Sequence, residues 1–168
     1  MGTRHLTAVR LNGEYKIAQY GQWDGYPEGA GLTVLEFVRS IQLKNLDKFK
    51  EKVSACHWIT EEEISKINAE IDAGINWKKV YPQFDRDTGA EILSLVSNSD
   101  NGVPLKSDLE FAFDHLFCEY VWCIDLDENV FGLYFGDDET NTLKPIKTWV
   151  IGFAPYKDEF LKAFEEDE

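Results

Sequence analysis

Apolar and polar positions alternate from Thr3 to Leu11 and again from Glu14 to Tyr20. The Asn12-Gly13 pair between them is the dipeptide that a two-residue type I′ turn demands, because both turn positions need positive φ. The pattern predicts a hairpin. Its simplest register pairs Arg10 with Tyr15, Ala8 with Ile17 and Leu6 with Gln19 on one face, and Leu11 with Glu14, Val9 with Lys16 and Thr7 with Ala18 on the other. Neither face is cleanly polar, so cover on both sides is expected over part of its length.

The spacing then changes to that of helices. Thr33 with Glu36 has the form of a capping box, with Leu32 and Phe37 as the flanking staple, and Leu35, Val38 and Ile41 extend an apolar stripe to about Gln42. Leu46, Phe49 and Val53 mark a second helix begun near Asn45. Thr60 with Glu63 opens a third, whose Ile64, Ile67 and Ile71 run to a stop near Gly74. Asn76 to Arg86 is irregular and reads as an aromatic cover. Thr88 with Glu91 and Ser107 with Glu110 are two further box-like starts.

Alternation returns from Phe117 to Leu126, with Cys118, Tyr120, Trp122, Ile124 and Leu126 on one side and Glu119, Val121, Cys123 and Asp125 on the other, which predicts a strand with one polar face. Asp127-Glu128-Asn129 turns the chain into Val130 to Phe135, Lys147 to Phe153 reads as a further strand, and Asp158 to Phe164 as a closing helix. Strand pairs separated by helices indicate an α+β fold. Its sheet is mostly antiparallel, built from an N-terminal hairpin and a C-terminal three-strand unit that join because neither is stable alone.

Composition changes this picture little. With 168 residues, 43% of them hydrophobic, residues 1–168 suit one domain with a real core, despite a formal charge of -14. That charge repels phosphate backbones and anionic membranes, so neither nucleic acid nor membrane is an expected direct partner. Acidic runs at Glu61 to Glu63, Asp125 to Glu128, Asp137 to Glu139 and Glu165 to Glu168 are read as a solvated surface in preference to a nucleic-acid-mimicking inhibitor. No apolar run is long enough for a bilayer and no signal-peptide pattern opens the chain. Cys56, Cys118 and Cys123 fit reduced thiols, so a cytoplasmic location is expected. His115 with Cys118 and Cys56 with His57 lack metal or nucleophile-base spacing, Cys118 and Cys123 have opposite strand parity, and neither metal nor cofactor is called for.

One stretch concentrates ligand-like groups. Tyr20 to Gly31 carries four glycines, Pro27, aromatics, two carboxylates and an amide between the first hairpin and the first helix. As a site, Trp23 and Tyr26 would supply stacking surfaces and Gln22, Asp24 and Glu28 hydrogen-bond partners. Thr3, Arg4 and His5 stand nearby, because the hairpin returns the chain to that end. Such a mixture suits a small zwitterionic or nucleoside-like molecule better than a bare phosphate, and no Walker pattern follows the glycines. The competing reading is a structural corner, with Trp23 buried against the first helix near Phe37 and the carboxylates satisfied by loop amides. Glu119 shares a strand face with Asp125, but six residues place the two about 20 Å apart at about 3.3 Å per residue, so they form no acid/base pair. Glu119 is placed to meet Asp24 or His5, or else a cation among Arg4, Arg10 and Lys16.

Met1-Gly2-Thr3-Arg4, the run Tyr20-Gly21-Gln22-Trp23-Asp24-Gly25-Tyr26-Pro27-Glu28-Gly29 and the run from Leu116 to Asp127 resemble a family of small uncharacterised proteins of phages, bacteria and fungi. The resemblance covers nearly the whole chain and implies one domain, the importance of both motifs and a phage or mobile-element origin, without an activity. A weaker topological likeness is to N-terminal nucleophile hydrolases, which need Cys, Ser or Thr at the mature N-terminus. Removal of Met1 leaves Gly2, and Thr3 would serve only after a further cleavage. The function expected is therefore that of an acidic binding protein acting on a host factor or a small polar ligand through the loop. An amide hydrolase that starts at Thr3, which intact mass would reveal, is the alternative.

Overall fold

A computed structural model describes residues 2–42, 44–100 and 102–165; Met1 and the Glu166-Asp167-Glu168 end of the acidic tail lie outside them. The Asn12-Gly13 turn takes positive φ at both positions (54° and 78°) and joins β1 (His5–Leu11) to β2 (Glu14–Gly21). The simple register holds only next to the turn. Beyond Arg10↔Tyr15 a bulge at Lys16 shifts it, so that Val9 pairs with Ile17, Ala8 with Ala18, Thr7 with Gln19, Leu6 with Tyr20 and His5 with Gly21. Directly opposed residues share a face. The bulge therefore turns Ile17 into the main core with Val9 and Leu11, and leaves Lys16 to pair with Glu14 at 3.0 Å.

Pro27 opens a wide, π-helical turn, Pro27–Gly31, that runs straight into α1 (Leu32–Ile41). The helix therefore starts before Thr33, whose hydroxyl donates to the Gly29 carbonyl (3.3 Å) instead of capping. Next come α2 (Leu46–Ala55), a two-residue strand β3 (His57–Trp58) and α3 (Glu61–Asp72). Here the Thr60–Glu63 capping box forms as expected, and the helix ends before Gly74 at φ 98°. Even so, α3 buries none of its residues, so its isoleucine stripe stays outside the core. After α4 (Trp77–Val80), a 3₁₀ turn at Gly89–Glu91 leads into α5 (Ile92–Ser97). The Thr88 hydroxyl donates to the Pro82 carbonyl, so no cap forms there. The two-residue β4 (Pro104–Leu105) pairs in parallel with β3, and the Ser107 start yields only a 3₁₀ turn, Leu109–Phe113.

The strand β5 (Tyr120–Asp125) begins later than the alternation suggests, because the Asp114 carbonyl accepts from Phe117 and Cys118 and folds them into a turn. Through Asp127-Glu128-Asn129 the chain turns from β5 into β6 (Val130–Asp137), the second hairpin, and β6 pairs in turn with β7 (Thr142–Val150). The latter starts earlier than Lys147, because the Asp137 carboxylate closes the turn on the Thr140 hydroxyl (2.9 Å), the Glu139 amide (3.2 Å) and Lys144 (3.0 Å). The chain closes with α6 (Lys157–Glu165).

Both hairpins lie in one five-stranded sheet of order β2-β1-β5-β6-β7, as expected of an α+β fold with a mostly antiparallel sheet; the join is a parallel pairing of β1 with β5. One face carries the main core with α1, α2, α5 and α6. The face of β5 expected to be polar is buried as well. Leu6, Ala8, Ala18, Val121, Cys123, Tyr134 and Leu143 form a second cluster there beneath the Leu109–Phe113 turn. Asp125 is tolerated in it because its carboxylate meets Arg10 at 3.5 Å and accepts the Asp127 and Glu128 amides (3.0 Å each). Cys118 precedes the strand and packs on this same cluster, not on the opposite face from Cys123, and burial raises both thiols, that of Cys118 to about 12. No helix among the described residues is long and apolar enough to cross a membrane.

Asp127 ties the two hairpin ends together: its carboxylate accepts the Asn12 and Gly13 amides (2.7 and 2.8 Å) and lies 3.3 Å from Arg10. These bonds, the one from Gly13 foremost, hold its carboxyl below the ordinary range. A depressed carboxyl stabilises the fold above its unfolded pKa, about 3.9, and that contribution is lost as the pH falls through the lower folded value. An Asp127→Asn chain should therefore lose less stability than the parent between about pH 5 and 2, read as urea midpoints against pH. Equal acid slopes would show that the tie is not made in solution.

Candidate functional site

The loop that follows β2 is fixed by main-chain bonds. The Gly25 amide donates to the Thr3 carbonyl (3.0 Å), folding the loop onto the start of β1, and the Ala30 amide donates to the Asp24 carbonyl (2.7 Å), closing it on itself. From beneath, the Trp122 indole N–H donates to the Gly25 carbonyl at 2.7 Å. At its near end the Gln22 amide donates to the Arg86 carbonyl (3.0 Å), which draws residues 86–91 alongside. Between these two segments lies an open cleft of about 390 Å³.

The imidazole of His5 forms part of its floor with Gly21 and Gly89. His5 is 2% exposed, and its Nε2 lies 3.0 Å from the Trp23 carbonyl. A carbonyl only accepts, so Nε2 carries the hydrogen and Nδ1 is left as an acceptor; Nδ1 has no partner. Burial lowers the pKa of this imidazole, which keeps the ring neutral at neutral pH. The ring fits because residue 21 has no side chain: a Cβ there would stand 2.2 Å from Nε2.

Trp23 is 48% exposed, and its indole N–H donates to the Asp87 carboxylate at 2.7 Å. Around it the lining is strongly acidic, with Asp24, Glu28, Glu36, Asp87 and Glu91 against one cation among the described residues, Arg86. Asp24 sits at φ 56° and its carboxylate accepts from the Tyr26 hydroxyl (3.0 Å), a bond that raises the tyrosine pKa. The hydroxyl of Tyr20 donates to the Gln22 side-chain oxygen.

The cleft thus gathers His5, Gln22, Trp23, Asp24 and Glu28. The other expected site residues fall outside it. Tyr26 touches it only through Asp24, and Thr3 contributes a carbonyl to Gly25. Arg4 holds its guanidinium 5.2 Å from the Phe117 ring, and its carbonyl accepts the Glu119 amide. Glu119 is exposed and lines a different depression with His115 and Cys118. It meets neither Asp24 nor His5, and among the described residues Arg10 and Lys16 pair with Asp125, Asp127 and Glu14 instead. The corner reading placed Trp23 near Phe37. Phe37 packs edge-on against Phe49 (4.8 Å), and the buried tryptophan under the loop is Trp122. The sequence reading missed Glu36 and residues 86–91; the one local signal was the turn-forming run Asp85-Arg86-Asp87-Thr88-Gly89.

Among the described residues no three His, Cys, Asp or Glu side chains converge to hold a metal ion. No protein-family model matches the chain, and no curated protein and no solved structure does.

Proposed function

We propose that the chain is a binding protein that carries a small polar molecule in the cleft between its glycine-rich loop and residues 86–91. The observation behind this reading is a built floor under an open wall: a buried, neutral His5 with an unpartnered Nδ1 lies below a half-exposed Trp23 whose orientation Asp87 fixes. Buried polar atoms are ordinarily satisfied, so an unpartnered one in a ring that lines a cleft marks an unusual spot in the fold. A cleft of about 390 Å³ is of small-ligand size. Outside the cleft the acidity acts as a solubilising surface, and three unpaired thiols fit a reducing cytoplasm.

Asp24→Asn tests the reading. Asn tolerates the positive φ of that position as well as Asp does, and an exposed isostere should change stability by no more than about 0.5 kcal/mol. Native mass spectra of the gently purified parent should show a retained small-molecule mass that Asp24→Asn depletes and Trp23→Ala abolishes. Identical retention in all three chains would refute the site.

A further inference from the structure

We infer that the cleft takes an extended organic polycation, a linear polyamine with two or more ammonium groups. This rests on the binding reading above and names the class of its ligand. The first argument is hydrogen-bond polarity. The carboxylates of Glu28, Glu36 and Glu91 line the cleft without a hydrogen bond or ion pair among the described residues, and those of Asp24 and Asp87 each accept from one neighbour and retain further lone pairs. Below them lies the ring of His5, which lines the same cleft and brings no cation to it; its unpartnered Nδ1 is an acceptor, itself buried from solvent. A site so rich in acceptors selects a ligand that brings donors, and an ammonium brings up to three N–H groups with a charge that every carboxylate favours.

The second argument is spacing. The acidic groups come from the loop (Asp24), the turn after Pro27 (Glu28), α1 (Glu36) and the 87–91 segment (Asp87, Glu91), and they do not converge tightly enough to ligate one metal ion. Carboxylates spread over four stretches of chain match positive charges spread along a flexible ligand. The third is the indole of Trp23. Because Asp87 occupies its N–H, the exposed part of this side chain is ring, and the face of a tryptophan is the best aromatic partner for a cation.

Titration of the full chain with spermidine at about 150 mM salt, a condition that screens diffuse surface attraction to within about 8 Å, followed by calorimetry and by amide shifts, tests the inference. One saturable site should appear, with the largest shifts at Gly21, Trp23 and Gly89, and a Glu28→Gln/Glu91→Gln chain should bind at least tenfold more weakly. Magnesium at matched ionic strength should not displace the polyamine. If adenosine or glycine perturbs those same amides while spermidine does not, the polycation class is wrong and the binding site stands. If no compound reaches those amides, both fall. Non-saturating spermidine binding that the double variant leaves unchanged would mean condensation on the acidic surface, and would also overturn the inference.

Discussion

Replacing Trp122 by alanine should cost about 3–5 kcal/mol, the range for truncating a large buried aromatic, and should free the loop over residues 22–30 at the same time. Trp122 is 1% exposed, lies parallel to Tyr120 (centroids 6.0 Å apart) and meets Phe160 and Phe164 at 6.0 and 5.7 Å. Its ring also fills the space left by Gly31, where a Cβ would come within 2.8 Å of it. The indole N–H then reaches past the core to the Gly25 carbonyl. Trp122→Phe separates the two roles. It keeps much of the ring packing but leaves that carbonyl without its partner, a loss of about 1–3 kcal/mol. Urea midpoints should rank parent, Phe and Ala in that order, and hydrogen exchange at Ala30 should quicken in both variants. Should Trp122→Phe match the parent in both measurements, the indole is core packing and nothing more.

Gly21→Ala should be nearly as damaging, although it adds one methyl group. The new Cβ would stand 2.2 Å from Nε2 of His5 and 3.0 Å from the Cα of Gly89, so it meets backbone on one side and a fully packed ring on the other. Overpacking of this kind costs about 1–3 kcal/mol, and displacing the imidazole also breaks its bond to the Trp23 carbonyl. Gly13→Ala is the control. A Cβ there meets nothing within 4 Å, so only its positive φ (78°) is penalised, by about 1–2 kcal/mol. The Gly21 variant should therefore have the lower urea midpoint and alone lose the native near-ultraviolet signal of the tryptophans. Equal midpoints for the two variants would mean that the floor of the cleft is loosely packed.

What could be read from the sequence was what neighbouring residues decide among themselves. Asn12-Gly13 made its hairpin, and Thr60 with Glu63 made its box, because every partner lies within a few positions. The same box motif failed at Thr33 and Thr88, where nearby carbonyls, those of Gly29 and Pro82, took the hydroxyls instead. At Ser107 the neighbouring Asp108 carboxylate turns away to the Tyr20 amide. The bulge at Lys16 escaped alternation because it reverses parity, and only burial of Ile17 beside Val9 reveals why it is there. In the cleft, the contiguous loop announced itself through composition. Its other wall did not, since residues 86–91 are drawn in by bonds from Gln22 and Trp23, whose partners lie far along the chain.

The parallel pairing of β1 with β5 sets the order of events in folding. Arg10 and Asp125 are neighbours across 115 positions of chain, so the middle of the sheet closes only after a long loop has lost its freedom. Sheets dominated by such distant contacts form in milliseconds to seconds, where helical bundles need microseconds to milliseconds. On a ribosome adding about 5–20 residues per second, β1 waits roughly 5–20 s for its partner to be made. Until then its inner edge stays open. Trp122 arrives with that partner, so the loop above it gains this support only after the chain of both cleft walls has already been made.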